Sequence, residues 1–146
     1  MENEEVGKYV HMLSRQLKMK LDGAIAKYGI TGTQAGIIRF IYDKSKSKDI
    51  FAKDIEEEFE IKGASVTGIL QLMERKELIV RVPVDKDARF KKLVLTKKAL
   101  KLREDIEVDF NEVEKNMKNG INNDEVKFFL SLIKKMLNNL YVRKEG

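Results

Sequence analysis

Residues that support catalysis or metal binding are scarce in this chain of 146 residues. The chain has no cysteine and a single histidine, His11, which argues against a thiol nucleophile, a disulfide framework and a dedicated transition-metal site. The spacing around His11 indicates no triad partner, and Asp105 and Asp109, one helical turn apart, fit a solvated acidic face. An enzyme is therefore the weakest hypothesis, and the sequence predicts no catalytic residue, no metal and no cofactor.

Basic and hydrogen-bonding side chains are concentrated in the middle of the chain instead. Residues 61–92 carry eight bases against four acids, whereas residues 49–60 carry six acids against one base. The small and polar side chains that open the basic segment are Lys62, Gly63, Ala64, Ser65 and Thr67, with Gln71 one turn further on. At the start of a helix, such side chains approach base edges closely and bond to bases or phosphates. Helix capping is the alternative role for Ser65 and Thr67.

The elements that position these side chains are predicted to be mainly helical. Pro83 is the only proline, and apolar residues recur at steps of three and four along most segments. One long helix is expected over about 5–28, with Gly29 at its end. A shorter helix follows, capped by Thr31 or Thr33.

Two short amphipathic helices are expected next, followed by a hairpin. The first covers 52–59 and has an acidic outer face, and the second begins at Lys62 after a tight junction. Beyond Leu78 the apolar period changes to two, so the runs 79–83 and 91–95 are predicted strands. Residues 84–90 between them are predicted to form a polar, mostly charged tip.

Two further helices complete the chain. Thr96 is placed to cap a long helix that Gly120 closes, and Asn122 or Asn123 begins the last one. Long amphipathic helices at both ends need a partner, which predicts a homodimer.

Helix, tight turn, helix and charged hairpin together form the winged helix-turn-helix arrangement. Its second helix fits the major groove of duplex DNA, and its hairpin reaches the adjacent backbone or minor groove. The predicted partner is therefore double-stranded DNA. The main alternative is a helical protein-interaction adaptor without DNA binding, but a pure adaptor has no need of a charged hairpin tip.

Residues 55–99 resemble the MarR family of bacterial and archaeal transcription regulators. The similarity lies in the stretches SVTGILQLMERKELIVR, from Ser65, and DKDARFKKLVLTKKA, from Asp85. The resemblance implies a single domain over 1–146, with a DNA-binding lobe at about 32–98 and dimerisation helices at about 5–28 and 99–142. It also implies a regulator, expected to be a repressor, that binds a pseudo-palindromic operator as a dimer.

The resemblance assigns roles in the hairpin as well. Arg89 is expected to enter the minor groove, and Asp87 to orient its guanidinium. Lys86 and Lys91 lie beside them in the sequence and are further candidates for DNA contact. Two departures from the family pattern stand out. Glu77 replaces the glycine that commonly ends the recognition helix. Gly68 stands where many members carry a long side chain, for which close packing or close approach to DNA is the expected reason.

The family also often binds small aromatic or anionic effectors in a crevice between the dimerisation helices and the DNA-binding lobe. The candidates to line such a crevice are Tyr9, Met12, Arg39 and Tyr42, with a place in the core as the alternative. No window approaches a membrane span and the first residues are acidic, so a cytoplasmic protein without a membrane partner is expected.

Overall fold

The computed structural model describes residues 4–141, and at positions 87 and 88 it describes the backbone only. It confirms the mainly helical winged helix-turn-helix fold. The elements in chain order are α1 (Val6–Ile25), α2 (Gly32–Lys44), α3 (Ala52–Phe59), α4 (Gly63–Arg75), β1 (Ile79–Val84), β2 (Asp87–Leu95), α5 (Lys97–Met117) and α6 (Asn123–Leu140). A short 3-10 turn, Ala26–Tyr28, follows α1. Among these helices, none combines the length and the apolar character needed to cross a membrane.

Side-chain caps begin three of the helices, where the sequence predicts them. In each cap a side-chain oxygen accepts a hydrogen bond from a backbone amide three residues later. The pairs are Thr31 Oγ1 with the Gln34 amide (3.2 Å), Thr96 Oγ1 with the Ala99 amide (3.1 Å) and Asn122 Oδ1 with the Glu125 amide (2.9 Å). Thr33 and Asn123 lie inside their helices. Each cap satisfies an amide at a helix start and contributes about 1 kcal/mol.

Residues in the left-handed region end several of the helical segments. Gly29 (φ 70°) follows the 3-10 turn and Gly120 (φ 80°) follows α5, as expected for glycine stops. Glu77, which replaces the family's glycine after α4, takes the same conformation with φ 61°. A side chain there costs about 1–2 kcal/mol, so the departure at Glu77 is accommodated by strain rather than by another path of the chain.

The apolar core lies in the winged lobe, which we define as α2 through β2. Its fully buried residues include Ile37, Ile38, Ile41, Ile55, Val66, Leu70, Met73 and Leu78. Ile25 of α1 and Ile106 of α5 close the core from the terminal helices. No residue of α6 is buried.

The hairpin, called the wing below, differs from its prediction in length. Its strands continue to Val84 and start again at Asp87, so only residues 85 and 86 connect them. Pro83 pairs with Lys91 and Val84 with Asp87, which leaves residues 88–90 bulged out of β2. The prediction that the strands end at 83 and begin again at 91 was wrong, because both strands continue past the point where regular pairing stops. Pro83 has no amide to donate, and a bulge keeps the strands together beyond it.

Candidate nucleic-acid interface

Helix α4 is anchored along one side and exposed along the other. Val66, Leu70 and Met73 are at most 1% exposed and pack into the core. The predicted contact residues on the exposed side are Lys62, Ala64, Ser65, Thr67 and Gln71, while Gly63 is half-buried. The structure therefore brings these residues together on the accessible side of α4. Their contact with DNA stays a prediction.

Neither Ser65 nor Thr67 caps α4. Lys62 is the N-cap residue, and no side-chain cap bond is present there. The Thr67 hydroxyl donates to the Gly63 carbonyl at 2.9 Å. Within residues 4–141 no hydrogen bond uses the Ser65 hydroxyl. The capping alternative is thus wrong, and Ser65 offers its hydroxyl to solvent.

The first turn of α4 lies against an acidic side chain of α3. A Cβ built on Gly63 would lie 2.6 Å from Glu56 Oε1, so glycine is what lets this carboxylate come so close. Negative charge at a helix N-terminus is stabilising. Glu56 thus places a negative charge beside the N-terminus of α4.

The contacts that hold the wing in place include two that sequence reasoning missed. Arg81 Nε of β1 donates to Glu74 Oε1 of α4 at 2.6 Å. At the base of the wing, the Leu93 amide donates to the Ile50 carbonyl at 2.7 Å. No spacing rule identifies the Arg81–Glu74 pair, because its members lie on elements of different period. The pair ties the wing to the helix that carries the other predicted DNA contacts.

The wing carries exposed basic residues close to its turn. Lys86, Arg89 and Lys91 are all exposed. The Arg89 guanidinium carbon lies 5.9 Å from the centre of the Phe90 ring. The side chain of Asp87 lies outside the described residues, so its role in orienting Arg89 stays a prediction. Phe90, which is 59% exposed, was not singled out from the sequence.

The four candidate effector residues lie in separate settings within one chain. Tyr9 lines a groove of about 460 Å³ between α1 and α6, and Met12 is exposed on α1. Arg39 donates to Glu107 Oε1 at 2.8 Å. The Tyr42 ring lies 3.7 Å from the Arg103 guanidinium carbon. A crevice lined by these residues stays a prediction.

One polar cluster joins the 3-10 turn to α5. The Tyr28 hydroxyl donates to Asp109 Oδ2 at 2.5 Å, and Lys27 Nζ donates to Asp109 Oδ1 at 3.3 Å. The hydrogen bond from Tyr28 lowers the pKa of Asp109. The same bond raises the pKa of Tyr28, and the hydrogen bond to Asp109 raises the pKa of Lys27. Asp109 therefore links the 3-10 turn to α5 through both of its carboxylate oxygens. Among the described residues, no group of three or more His, Cys, Asp or Glu side chains is placed to hold a metal ion.

Comparison with known proteins gives a consistent answer for fold and family. A sequence profile described as "MarR family" matches residues 28–89. The crystal structure of the transcription regulator MarR from Oenococcus oeni PSU-1 is 36% identical, with 92% of this chain and 99% of that chain covered and a TM-score of 0.70.

Two structures from Staphylococcus aureus extend this comparison. A complex of MepR with DNA is 26% identical, with 97% of this chain and 100% of that one covered and a TM-score of 0.82. MepR itself, a transcription regulator of the multidrug efflux pump MepA, is 25% identical, covers 94% of this chain and 100% of its own, and has a TM-score of 0.78. No curated protein sequence matches the chain.

Proposed function

Since this chain belongs to the MarR family of transcription regulators, we propose that it binds a pseudo-palindromic DNA operator as a homodimer and represses transcription. The observation that carries this proposal is the exposed side of α4, with Lys62, Ser65 and Gln71, beside a wing tied to the same helix by the Arg81–Glu74 pair. A helix that presents small and polar side chains is suited to the major groove, and an arginine-bearing wing to the adjacent minor groove. The similarity to MepR, which has been solved with DNA, supports the same partner.

The homodimer is proposed from the apolar surface of α1 and α6. Leu130, Leu137 and Leu140 are 44%, 65% and 82% exposed, and together with Phe129 and Ile133 they form one stripe along α6. Val6 and Val10 of α1 border the groove that α6 closes on its other side. In a symmetric dimer the stripes of the two copies cover each other, so a second copy of this chain is the proposed partner. Sedimentation equilibrium at micromolar concentration is expected to give twice the mass of 16.9 kDa.

Selection of bound fragments from genomic DNA by the purified protein tests DNA recognition. We expect a pseudo-palindrome with half-sites about one helical turn, roughly 10 bp, apart, because two symmetric helices need successive major grooves on one face. Moving the half-sites about 5 bp further apart turns one to the far side of the duplex. Recovery of no preferred sequence would favour the adaptor alternative.

Arg89 is the side chain on which the wing contact depends most. Arg89→Ala is expected to weaken binding by about 1–3 kcal/mol and to relax the preference for A·T pairs at the operator flanks. The matched control is Lys97→Ala at the start of α5, where one phosphate contact at most is lost and the salt slope falls by about one unit. Equal effects of the two substitutions would contradict the minor-groove role. Circular dichroism checks that both variants remain folded.

Release by a small aromatic or anionic molecule is proposed as well, with Tyr9, Met12, Arg39 and Tyr42 as the candidate contacts. Two of these residues belong to pairs of a cation and an aromatic ring. Arg39 lies 5.2 Å from the centre of the Phe110 ring, and the Arg103 guanidinium lies over the Tyr42 ring. An aromatic anion would stack on the ring and pair with the cation, with Arg39 exchanging its bond to Glu107 for the ligand. A panel of aromatic carboxylates that leaves the operator complex intact at millimolar concentration would speak against this part of the proposal.

A further inference from the structure

The side of the wing that faces α3 forms a groove whose chemistry is mixed. The groove has a volume of about 760 Å³ and lies between the start of α3 and the bulged part of β2. Its apolar wall is formed by Phe51 and Phe90, and its basic rim by Lys53, Arg89 and Lys91. Apolar surface and cations thus alternate over one concave surface.

The residues that line this groove are net positive, with four bases, Lys53, Arg81, Arg89 and Lys91, against two acids, Asp54 and Asp85. Asp54, the acid at the start of α3, is already engaged: its Oδ2 accepts from the Phe51 amide at 2.8 Å, and its Oδ1 accepts from Lys48 Nζ at 3.4 Å. Lys53 and Lys91 are both exposed, and within residues 4–141 neither forms an ion pair. The groove is therefore complementary to an anionic chain.

Phe90 is the feature that a purely electrostatic surface does not explain. Its ring is 59% exposed and stands beside the Arg89 guanidinium in a three-residue bulge that moves both out of the β ladder. Leaving a phenylalanine in water costs free energy that its burial would recover. Minor-groove proteins combine cations with apolar side chains that wedge between base steps, so an exposed ring beside a guanidinium is suited to contact with DNA.

We propose that this groove holds one deoxyribose-phosphate strand of the DNA duplex, with Phe90 packed on the sugar face and Lys53 and Lys91 on the flanking phosphates. The inference rests on the proposed function, and it adds α3 and an aromatic contact to an interface otherwise made of α4 and Arg89. Sugar and phosphate are present in every sequence. The contact therefore strengthens binding to any duplex and positions the wing without reading bases.

The test compares Phe90→Ala with two variants in fluorescence anisotropy, on an operator recovered by selection and on a mixed-sequence duplex. Phe90→Ala is expected to weaken binding about tenfold on both duplexes, because about half of a phenylalanine side chain loses its burial. The slope of affinity against salt concentration should not change, since no charge is removed. Lys53→Gln should lower that slope by about one unit. Val82→Ala, which trims another exposed apolar residue of the wing, is the matched control and should bind like the wild type.

The outcomes separate this inference from the function on which it rests. If the wild-type protein prefers no duplex, the proposed function fails. If the wild type binds its operator in an Arg89-dependent way and Phe90→Ala binds equally well, the groove inference alone is overturned. A changed oligomeric state for Phe90→Ala, with unchanged affinity per dimer, would reassign Phe90 to a protein contact and also overturn it. Phe90→Leu, which keeps apolar bulk at the site, should restore most of the lost affinity.

Discussion

Each helix of the winged lobe buries its apolar face within the chain, whereas α6 leaves its apolar stripe in water. Ile38, Ile55 and Leu70, from three helices of the lobe, are completely buried. Leu137 and Leu140, at equivalent points of an equally regular pattern, are 65% and 82% exposed. Amphipathic periodicity therefore predicts that the apolar face of a helix is buried. It does not specify whether the same chain or another chain buries that face. The lobe is covered within one chain, with Ile25 of α1 and Ile106 of α5 closing its core, whereas the stripe of α6 is half of the proposed dimer interface.

The largest effect is expected from charges placed on the stripe of α6. Leu130→Asp with Leu137→Asp should give a monomer, because two buried carboxylates without partners oppose association. Operator affinity should fall by at least about 100-fold, since the second half-site is no longer linked to the first. Sedimentation equilibrium and fluorescence anisotropy measure the two effects.

The matched control for that pair uses positions off the stripe. Ser131→Asp with Asn138→Asp adds the same charge at the same spacing of seven residues, and both positions are exposed. This variant should remain dimeric. A monomer from the control as well would show that charge alone, and not the apolar stripe, governs assembly.

The next largest effect is on the free energy of unfolding, and it differs between a buried residue of the lobe and an exposed residue of α6. Ile38→Ala removes a fully buried side chain of the lobe and should lower the free energy of unfolding by about 2–5 kcal/mol at any protein concentration. Leu137→Ala should cost less, and its cost should change with protein concentration because in the proposed dimer only the partner covers this residue. Urea denaturation at two concentrations measures both. An equal, concentration-independent loss would place Leu137 in an intrachain core.

A smaller change in stability is expected at a glycine of α4 that has open space beside its Cα. A Cβ built on Gly68 of α4 would meet no atom within 4 Å, so close packing does not explain this glycine. Gly68→Ala should raise the free energy of unfolding by about 0.5–1 kcal/mol through helix propensity, and it should weaken DNA binding if α4 lies close to the duplex there. Thermal unfolding and anisotropy give the two readouts.

Gly23 in α1 provides the control for Gly68. It also has open space around a Cβ, so Gly23→Ala should stabilise its helix by a similar amount and leave operator affinity unchanged. Unchanged affinity for Gly68→Ala too would remove close approach to DNA as the reason for this glycine.

The smallest effect concerns the cluster that joins the 3-10 turn to α5. The hydrogen bond to Asp109 raises the pKa of Tyr28 above its ordinary value of 10.0. The stability that this bond contributes is therefore fully present below pH 10.0 and is lost as pH rises through the raised pKa. The pKa of Asp109 is lowered from 3.8 by the same bond, so its contribution is present above that value and is lost as pH falls through the lowered pKa.

Tyr28→Phe tests that cluster. The difference between the urea midpoints of the wild type and the variant should be constant between about pH 5 and 9, and it should shrink beyond both ends of that window. A difference that varies within the window would show that another titrating group acts through Tyr28.

Local chemistry explains why much of the fold was predictable. The caps at Thr31, Thr96 and Asn122 use side chains next to the amides that they satisfy, and the glycine stop at Gly29 depends on one backbone conformation. Such features involve a few neighbouring residues and are visible in the sequence. The sequence predicted a two-stranded wing but made its strands too short. The bulge at 88–90 lies opposite the step from Pro83 to Val84, where Pro83 has no amide to donate, and pairing of this kind cannot be read from one strand alone.

The sequence by itself determined the order and type of the elements, the accessible side of α4 and the family, since each of these follows from periodicity, capping or a contiguous motif. Only the tertiary structure decided that Arg81 reaches Glu74, that Glu56 lies against Gly63, and that Phe90 shares a groove with the start of α3. These contacts join residues on separate elements, and their geometry depends on how the elements pack. A one-dimensional pattern specifies which face of a helix is apolar, whereas the distance between side chains on two elements is set by the core between them.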